Sequence, residues 1–427
     1  ADRRQQQTRE QGMSRLVPLQ PQSMRAALSC TRRRLFSVIP ERPRPIADIA
    51  EYAAKRQTGV NMQALLSTGM GLRLDKSEID ASLPTQQRTL IQVAQFLHHE
   101  LPIRLAHRAI ELEELPHGLS DMPSVQVVRD WYIESFNDLV AAKETNTPDE
   151  EAAFERQLHK IYDRHAPTLL KMARGVHEFK QELKRRHPES TSKKALSHLY
   201  DFPEVHSFLD SFYVSRIGIR ILIGQYLELH HTQEEHYVGL INTKTSPSEI
   251  AAQAIEDARY MCVRQYGDAP EVEIKGRTDL VFSYIPSHLY YMLFEVIKNS
   301  LRAVCEFHGV DGEMPPVRVI IADGERNEDV VIKVSDEGGG IARSHMPRIW
   351  SYLFTTAKPA FEGAGDEFPD SQIATDSPLA GLGYGLPTSR AYARYFGGDL
   401  NVMSMEGYGT DAFLHLSRLG NRSEPLP

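Results

Sequence analysis

Long apolar runs are missing from this 427-residue sequence. No stretch approaches the roughly 18 consecutive apolar residues that a membrane-spanning helix requires, so we expect no membrane insertion. Cysteine is scarce as well, and Cys30, Cys262 and Cys305 lie far apart in the chain. Such spacing favours neither a disulfide framework nor a zinc site, and it indicates a reducing compartment. A net charge of −8 provides no overall basic field, so nucleic acid is not an expected partner.

The first 45 residues are rich in arginine and poor in acids. Three arginines are consecutive at residues 32–34, whereas the acidic residues up to Arg44 are limited to Asp2, Glu10 and Glu41. This composition is typical of a mitochondrial transit segment, although a disordered basic tail has a similar composition. We therefore predict a targeting or disordered segment over residues 1–45.

Residues 46–235 show the periodicity of a helical bundle. Apolar side chains recur three and four residues apart, for example at Leu97, Leu101, Leu105 and Ala109. This spacing is typical of amphipathic helices packed on one another, and the longest helical patterns cover residues 90–112, 124–142, 151–184 and 203–229. No nucleotide-binding loop or catalytic triad is visible there, so we interpret this part as a docking domain.

Residues 236–427 have a different pattern, in which short β-rich runs alternate with helical stretches. Strands are predicted at residues 238–241, 272–274, 280–285, 317–322 and 330–334, followed by a final hairpin at 399–416. Helices are predicted at residues 248–266, 288–307, 344–353 and 386–396. This order predicts an α/β sandwich, which makes the whole chain an α+β protein of two domains.

One of these predicted helices carries a polar stripe. Glu295, Lys298, Asn299 and Arg302 fall on one side of its helical wheel. An Asn oxygen can bind Mg²⁺ and a Glu carboxylate can accept a proton, which together suit phosphoryl transfer. A solvated helix face would explain the stripe equally well if it stood alone.

Three glycine clusters follow this helix in the chain. Asp336 ends a predicted strand just before Gly338 and Gly340, where a planar ligand can approach the backbone closely and donate from an exocyclic amine. The next cluster leads into a helix whose free N–H groups suit a phosphate chain, and it reads Gly381-Leu382-Gly383-Tyr384-Gly385-Leu386. Thr410 follows a glycine in the last hairpin. A turn would explain each cluster alone, whereas their order indicates a nucleotide site.

The ordered set of helix and glycine motifs resembles the GHKL ATPases, a superfamily that includes type II topoisomerases and sensor histidine kinases. Residues 100–106, 215–220 and 386–390 resemble more specifically the mitochondrial kinases of α-ketoacid dehydrogenases, and this resemblance runs over about residues 46–418. It implies a Bergerat-type (GHKL) α/β sandwich after an N-terminal helical bundle.

The resemblance also implies roles for single residues. Glu295 would be the general base for an acceptor serine, Asn299 the Mg²⁺ ligand, and Asp336 the acceptor for the adenine amine. ATP and Mg²⁺ are the implied cofactors, and residues 355–380 correspond to a lid over ATP. The remaining implied nucleotide contacts are Lys298, Arg302, Gly338, Gly340, Thr355, Thr356, Gly381, Leu382, Gly383, Tyr384, Gly385, Leu386 and Thr410.

A function and partners follow from the same resemblance. A kinase of this type would phosphorylate and inactivate the α subunit of the pyruvate dehydrogenase complex in the mitochondrial matrix. It would bind a lipoyl domain of the dihydrolipoyl acyltransferase core and form a homodimer. Tyr291 and Glu337 depart from animal pyruvate-specific relatives, which carry His and Arg at these positions. The alternatives are a branched-chain α-ketoacid dehydrogenase kinase, a histidine kinase and a GHKL ATPase that is not a kinase.

Overall fold

The computed structural model describes residues 43–45, 47–73, 79–186, 202–231, 234–324, 328–356 and 383–426. The predicted targeting segment lies outside the described residues except for its last three positions. Within the described ranges, no helix is both long enough and apolar enough to cross a membrane.

The first half of the described chain is helical, as predicted. Its helices are α1 (Ile49–Ala53), α2 (Met62–Gly69), α3 (Thr85–Glu113), α4 (Pro123–Val140), α5 (Pro148–Arg164), α6 (Thr168–Arg186) and α7 (Pro203–Glu228). A 3₁₀ turn at Pro116–Asp121 connects α3 to α4. The apolar residues that predicted a bundle are buried, since Leu97, Leu101, Leu105 and Ala109 are each at most 1% exposed.

The helical pattern over residues 151–184 forms two helices rather than one. Helix α5 begins at a capping box, in which Thr147 accepts from the Glu150 backbone and Glu150 accepts in return. It ends before His165, and α6 begins at Thr168. Pro167 explains the break, because a proline removes a helical donor and biases the preceding residue away from the helical region.

The second half contains two sheets. A small antiparallel sheet has the order β1 (Tyr237–Val238), β2 (Ile241–Thr245) and β4 (Phe282–Tyr284). The larger sheet has the order β3-β5-β6-β8-β7, built from β3 (Val272–Gly276), β5 (Val317–Asp323), β6 (Asp329–Asp336), β7 (Asp399–Met405) and β8 (Gly409–Ser417). Only the β3–β5 pair of this larger sheet is parallel.

Three helices cover the larger sheet and pack on one another. They are α8 (Pro247–Tyr266), α9 (Pro286–His308) and α10 (Gly385–Tyr395), and each contacts two of its strands. The predicted α/β sandwich after a helical bundle is therefore confirmed.

The helix predicted over residues 344–353 is wrong, because the chain makes a single 3₁₀ turn at Met346–Arg348. Pro347 has no N–H to donate to the carbonyl of residue 343, which disfavours an α-helix that begins at residue 344.

Candidate active site

A cavity of about 480 Å³ brings together residues that are distant in the sequence. It lies between α9, the loop after β6, the start of α10 and the β7–β8 hairpin. Thirteen of the residues predicted from the sequence line it, namely Glu295, Lys298, Asn299, Arg302, Asp336, Gly338, Gly340, Thr355, Thr356, Gly383, Gly385, Leu386 and Thr410. The polar stripe on α9 is therefore a wall of this cavity.

Of the three remaining predicted contacts, one has a different position and two are not described. Gly381 and Leu382 lie outside the described residues, as does the predicted lid from residue 357 onward. The ring of Tyr384 is buried away from the cavity, with ring centroids 6.0 Å from Tyr213 of α7 and 5.4 Å from Tyr352. Its side chain therefore packs the start of α10 against the helical half.

Asp336 is held in one part of the cavity by hydrogen-bond donors. The register of the sheet pairs it with Thr410, the second residue of β8. Its Oδ1 accepts from the backbone N–H groups of Gly338 (3.0 Å) and Thr410 (3.3 Å), and its Oδ2 accepts from the Ser300 hydroxyl (2.8 Å). A carboxylate offers about four acceptor positions, so one remains for a ligand.

Burial raises the pKa of Asp336 above its ordinary value, whereas these three donors lower it and the charge of Asp411 raises it. Sequence reasoning missed Ser300, which immediately follows Asn299 on α9. A small polar residue on the predicted buried side of the helix could have indicated a hydrogen bond to a buried group.

Two glycines beside the cavity let the loop after β6 pack closely against neighbouring backbone. A Cβ on Gly338 would lie 2.6 Å from the Ala303 backbone of α9. Gly340 has a φ of +69°, and a Cβ there would lie 2.2 Å from the carbonyl oxygen of Met405. Both contacts are too close for any side chain, which explains why glycine occupies these positions.

Glu295 lines the same cavity, where it lies between a lysine and a helix terminus. Its Oε1 accepts from the Lys298 ammonium at 2.6 Å. Its Oε2 faces Gly385, the first residue of α10, so closely that a Cβ on that glycine would lie 2.0 Å away. The free N–H groups and the dipole of a helix N-terminus favour negative charge, so this part of the cavity suits phosphate as well as carboxylate.

Tyr291 lies one helical turn before Glu295. Burial raises the pKa of its hydroxyl well above the ordinary value, and the charges of Glu295 and Tyr392 raise it further. The hydroxyl therefore stays protonated at neutral pH and acts only through hydrogen bonds.

Arg302 connects α9 with the first residues of the predicted lid. Its Nε donates to Glu306 at 3.0 Å and its Nη2 donates to Thr356 at 3.2 Å. Asn299 lies between Glu295 and Arg302 on the same wall. Its amide oxygen is the type of hard ligand that Mg²⁺ binds together with phosphate oxygens and water, so the donor set fits this metal.

Replacing Asp336 with Asn is expected to weaken ATP binding by about 10- to 100-fold, equivalent to roughly 1–3 kcal/mol. The Asn side chain would keep Oδ1 as the acceptor for two backbone N–H groups. Its amide N–H groups would then face the adenine amine, so that two donors would oppose each other. Calorimetry with ATP measures the loss. Asp329→Asn, at the exposed start of the same strand, is the matched control. Unchanged affinity in Asp336→Asn would contradict an acceptor role.

The same carboxylate predicts a pH dependence of ATP binding. A protonated Asp336 cannot accept from an amine at the oxygen that carries the proton, so affinity is full above its pKa and falls as the pH drops through it. Because that pKa is raised, the fall is expected to begin above the ordinary range of an aspartate. A wild-type affinity that stays constant throughout acidification of the folded protein would argue against this mechanism.

Gly385→Ala is expected to reduce turnover by on the order of 10²-fold, because the new Cβ would displace the Glu295 carboxylate from its place. The fold should survive, since the first position of a helix accepts alanine. The control is Gly324→Ala, where a Cβ meets nothing within 4 Å. Steady-state kinetics that found both variants equally active would show that the position of Glu295 is not critical.

Three features together define an ATP-binding domain of the GHKL class. They are the mixed sheet, an aspartate at the end of a strand beside glycines, and a glutamate and an asparagine one turn apart on α9. The family described as "Histidine kinase-, DNA gyrase B-, and HSP90-like ATPase" matches residues 284–419. The helical half is matched by the family described as "Mitochondrial branched-chain alpha-ketoacid dehydrogenase kinase" at residues 62–242.

Relatives extend over nearly the whole chain. The "[Pyruvate dehydrogenase (acetyl-transferring)] kinase, mitochondrial" of Arabidopsis thaliana is 50% identical over 386 residues, which cover 90% of this chain and 96% of the relative. The protein of the same name from Schizosaccharomyces pombe is 37% identical over 88% of this chain and 96% of its own length. The "[Pyruvate dehydrogenase (acetyl-transferring)] kinase isozyme 1, mitochondrial" of Mus musculus is 38% identical over 78% of this chain and 74% of its own length.

The chain belongs to the family of mitochondrial pyruvate dehydrogenase kinases. It is accordingly a protein kinase that uses ATP.

Proposed function

We propose that this kinase transfers the γ-phosphoryl group of ATP to a serine on the α subunit of the pyruvate dehydrogenase complex in the mitochondrial matrix, and thereby inactivates the complex. The observation that carries this proposal is a single cavity lined by Asp336, which can accept from an amine, and by Glu295, whose carboxylate lies beside a helix N-terminus. The relatives support it, because proteins named pyruvate dehydrogenase (acetyl-transferring) kinase match 90% and 88% of the chain.

The part of the cavity around Asp336 suits adenine. The carboxylate would accept from the exocyclic amine, while Ser300 and the Thr410 backbone hold it in position. Gly338 and Gly340 line the same cavity, and without a Cβ their backbone packs closely against α9 and Met405.

The part around Glu295 suits the triphosphate and the acceptor. Lys298, Arg302 and the N-terminus of α10 would bind phosphate oxygens. Mg²⁺ would be held by Asn299 together with the phosphates, and it would neutralise charge on the transferring group. Glu295 would accept the proton of the serine hydroxyl as its oxygen bonds to phosphorus, and ADP would leave.

The exposed apolar side chains of the last hairpin support a homodimer through the sheet. Strand β7 is the edge of the larger sheet, and Met403, Met405 and Tyr408 are 66%, 67% and 57% exposed. Such an edge is a template for pairing with a second copy of the chain. Sedimentation should find a dimer for the wild type and a shift toward monomer for Met403→Lys. A monomeric wild type would refute this assembly.

A lipoyl domain of the dihydrolipoyl acyltransferase core is the partner that we propose for the helical bundle. The support for this partner is the match of that half to the dehydrogenase-kinase family. A pull-down should recover the kinase with a lipoylated domain and not with the same domain lacking lipoate. Equal recovery with both domains would count against the proposal.

The match of the helical half to the branched-chain family supports a second candidate substrate, the branched-chain α-ketoacid dehydrogenase. Purified kinase and radiolabelled ATP should therefore be mixed with each complex separately. Acid-stable label on the pyruvate dehydrogenase α subunit is the expected result, and label confined to the branched-chain complex would favour the alternative. Acid-labile label on the kinase, or phosphate release alone, would contradict both.

A further inference from the structure

Three sulfur atoms and a carbonyl oxygen converge behind the nucleotide cavity. Cys262 of α8 and Cys305 of α9 have their Sγ atoms 3.5 Å apart. The Sγ of Cys305 also lies 3.8 Å from the Sδ of Met314, in the connection between α9 and β5. Both Sγ atoms lie 3.8 Å from the carbonyl oxygen of Asp268. The four groups come from two segments of the chain, residues 262–268 and 305–314, so the complete cluster forms only where α8 packs on α9.

The distances within this cluster correspond to those of a metal site. In a tetrahedron whose ligands are about 2.3 Å from a central metal, ligand atoms lie roughly 3.7–3.8 Å from one another. The four distances measured here are 3.5, 3.8, 3.8 and 3.8 Å. These four of the six ligand–ligand distances are therefore compatible with coordination of an ion.

The chemistry of the ligands restricts which ion fits. Among the described residues, no group of three or more His, Cys, Asp and Glu side chains could hold a metal ion, and here the third ligand is a thioether. Thioether sulfur is a poor partner for hard cations, whereas thiolate and thioether ligands favour soft ions, of which Cu(I) is the softest considered. The negative side chains of Asp268 and Glu306 act on this cluster and would favour a cation, while Arg259 acts against it.

The same surroundings argue against a reactive or disulfide-forming pair. Burial raises the pKa of the Cys262 thiol to about 12, and burial also raises the pKa of Cys305. Thiols of this kind are protonated and unreactive at neutral pH, because the thiolate is the nucleophile. A soft metal ion overcomes this obstacle, because a coordinating thiol is deprotonated by the metal itself.

We propose that Cys262, Cys305 and Met314, with the Asp268 carbonyl, form a binding site for Cu(I) between α8 and α9. Cys262 also lines the nucleotide cavity, which provides the ion with an entry path. A bound ion would connect α8 to the helix that carries Glu295 and Asn299. It would stabilise the folded chain by mass action, because the unfolded chain does not hold these ligands together.

The test is a titration of the reduced full-length chain with Cu(I), in competition with a chromophoric Cu(I) chelator. Cys30→Ser is introduced into every protein so that the remaining cysteine cannot contribute. We expect one Cu(I) per chain and a rise in melting temperature on binding. Cys305→Ser should weaken binding by at least about 100-fold, and Met314→Leu, which keeps the volume similar, by about tenfold.

The controls separate a site from general thiol affinity. Met70→Leu replaces an exposed methionine and should leave Cu(I) binding unchanged. Equal Cu(I) affinity in the parent and Cys305→Ser proteins would overturn the proposal. An unchanged affinity in Met314→Leu, or Zn(II) binding at the same cysteines as tightly as Cu(I), would also overturn it. Because Met314→Leu preserves an apolar core contact, the test remains decisive if Cys305→Ser folds poorly.

Discussion

Glu295→Gln is expected to lower phosphoryl transfer by on the order of 10²–10⁴-fold, the usual contribution of a positioned general base. Glutamine has nearly the same shape as glutamate. Its carbonyl oxygen can still accept from Lys298, which donates to Glu295 at 2.6 Å in the wild type. It cannot take the proton of a serine hydroxyl. The loss should therefore appear in turnover, while ATP affinity stays within a few-fold of the wild-type value.

Two measurements on the same preparation test this expectation. Transfer of radiolabel to the dehydrogenase gives turnover, and calorimetry gives ATP affinity. Glu313→Gln makes the same chemical change at an exposed position in the same half of the chain, and it should leave both quantities unchanged. Near-normal transfer by Glu295→Gln would exclude this carboxylate as the base. A parallel loss of ATP affinity would indicate that Glu295 shapes the phosphate site instead.

The parts of the site that could be predicted were those in which local sequence and chemistry coincide. Glu295 and Asn299 share a helical face because of the 3.6-residue period, and that helix exists as predicted. The glycines beside Asp336 predicted a close approach of the backbone to a ligand, which stays a prediction, whereas the close contact at Gly338 is with the backbone of α9. These inferences need only the geometry of one element and the order of elements along the chain.

The features that escaped prediction depend on contacts between distant segments. Ser300 matters only because β6 ends beside it, and Tyr384 is buried only because α7 lies against the start of α10. No pattern within either segment records those neighbours. The break at Pro167 and the 3₁₀ turn at Pro347 are different, since a proline within a helical pattern was visible and could have been used.

The clearest long-range contact is a buried charge network between the C-terminal segment and the helical half. Arg104 of α3 donates to Glu100 at 2.8 Å and to both oxygens of Glu424 at 2.6 and 3.0 Å, across 320 positions of sequence. Glu424 also accepts from the Tyr395 hydroxyl at 2.6 Å and from the Val60 backbone at 2.9 Å. The network therefore joins α3, α10 and both ends of the described chain.

Arg104→Met is expected to cost about 3–5 kcal/mol of the free energy of unfolding, because it leaves two carboxylates buried without a cation. The side chains of Arg104, Glu100 and Glu424 are 3%, 1% and 2% exposed, so water cannot replace the guanidinium. Burial lowers the pKa of Arg104, but the hydrogen bond and charge of Glu424 raise it above the ordinary value, so the arginine stays charged.

Glu424→Gln is expected to cost less than Arg104→Met, because Arg104 then keeps Glu100 as its counter-charge and only a charged hydrogen-bond partner is lost, about 1.5–3 kcal/mol. Urea unfolding of both variants measures this order. Arg56→Met, the same substitution at an exposed arginine, should change the unfolding free energy by no more than about 0.5 kcal/mol. If Arg104→Met lowered the unfolding free energy no more than Arg56→Met, the attraction between Arg104 and the two carboxylates would merely equal the cost of removing Arg104 from water. If Glu424→Gln were the more damaging change, the chain would depend on the contacts of Glu424 with Tyr395 and Val60 rather than on charge compensation.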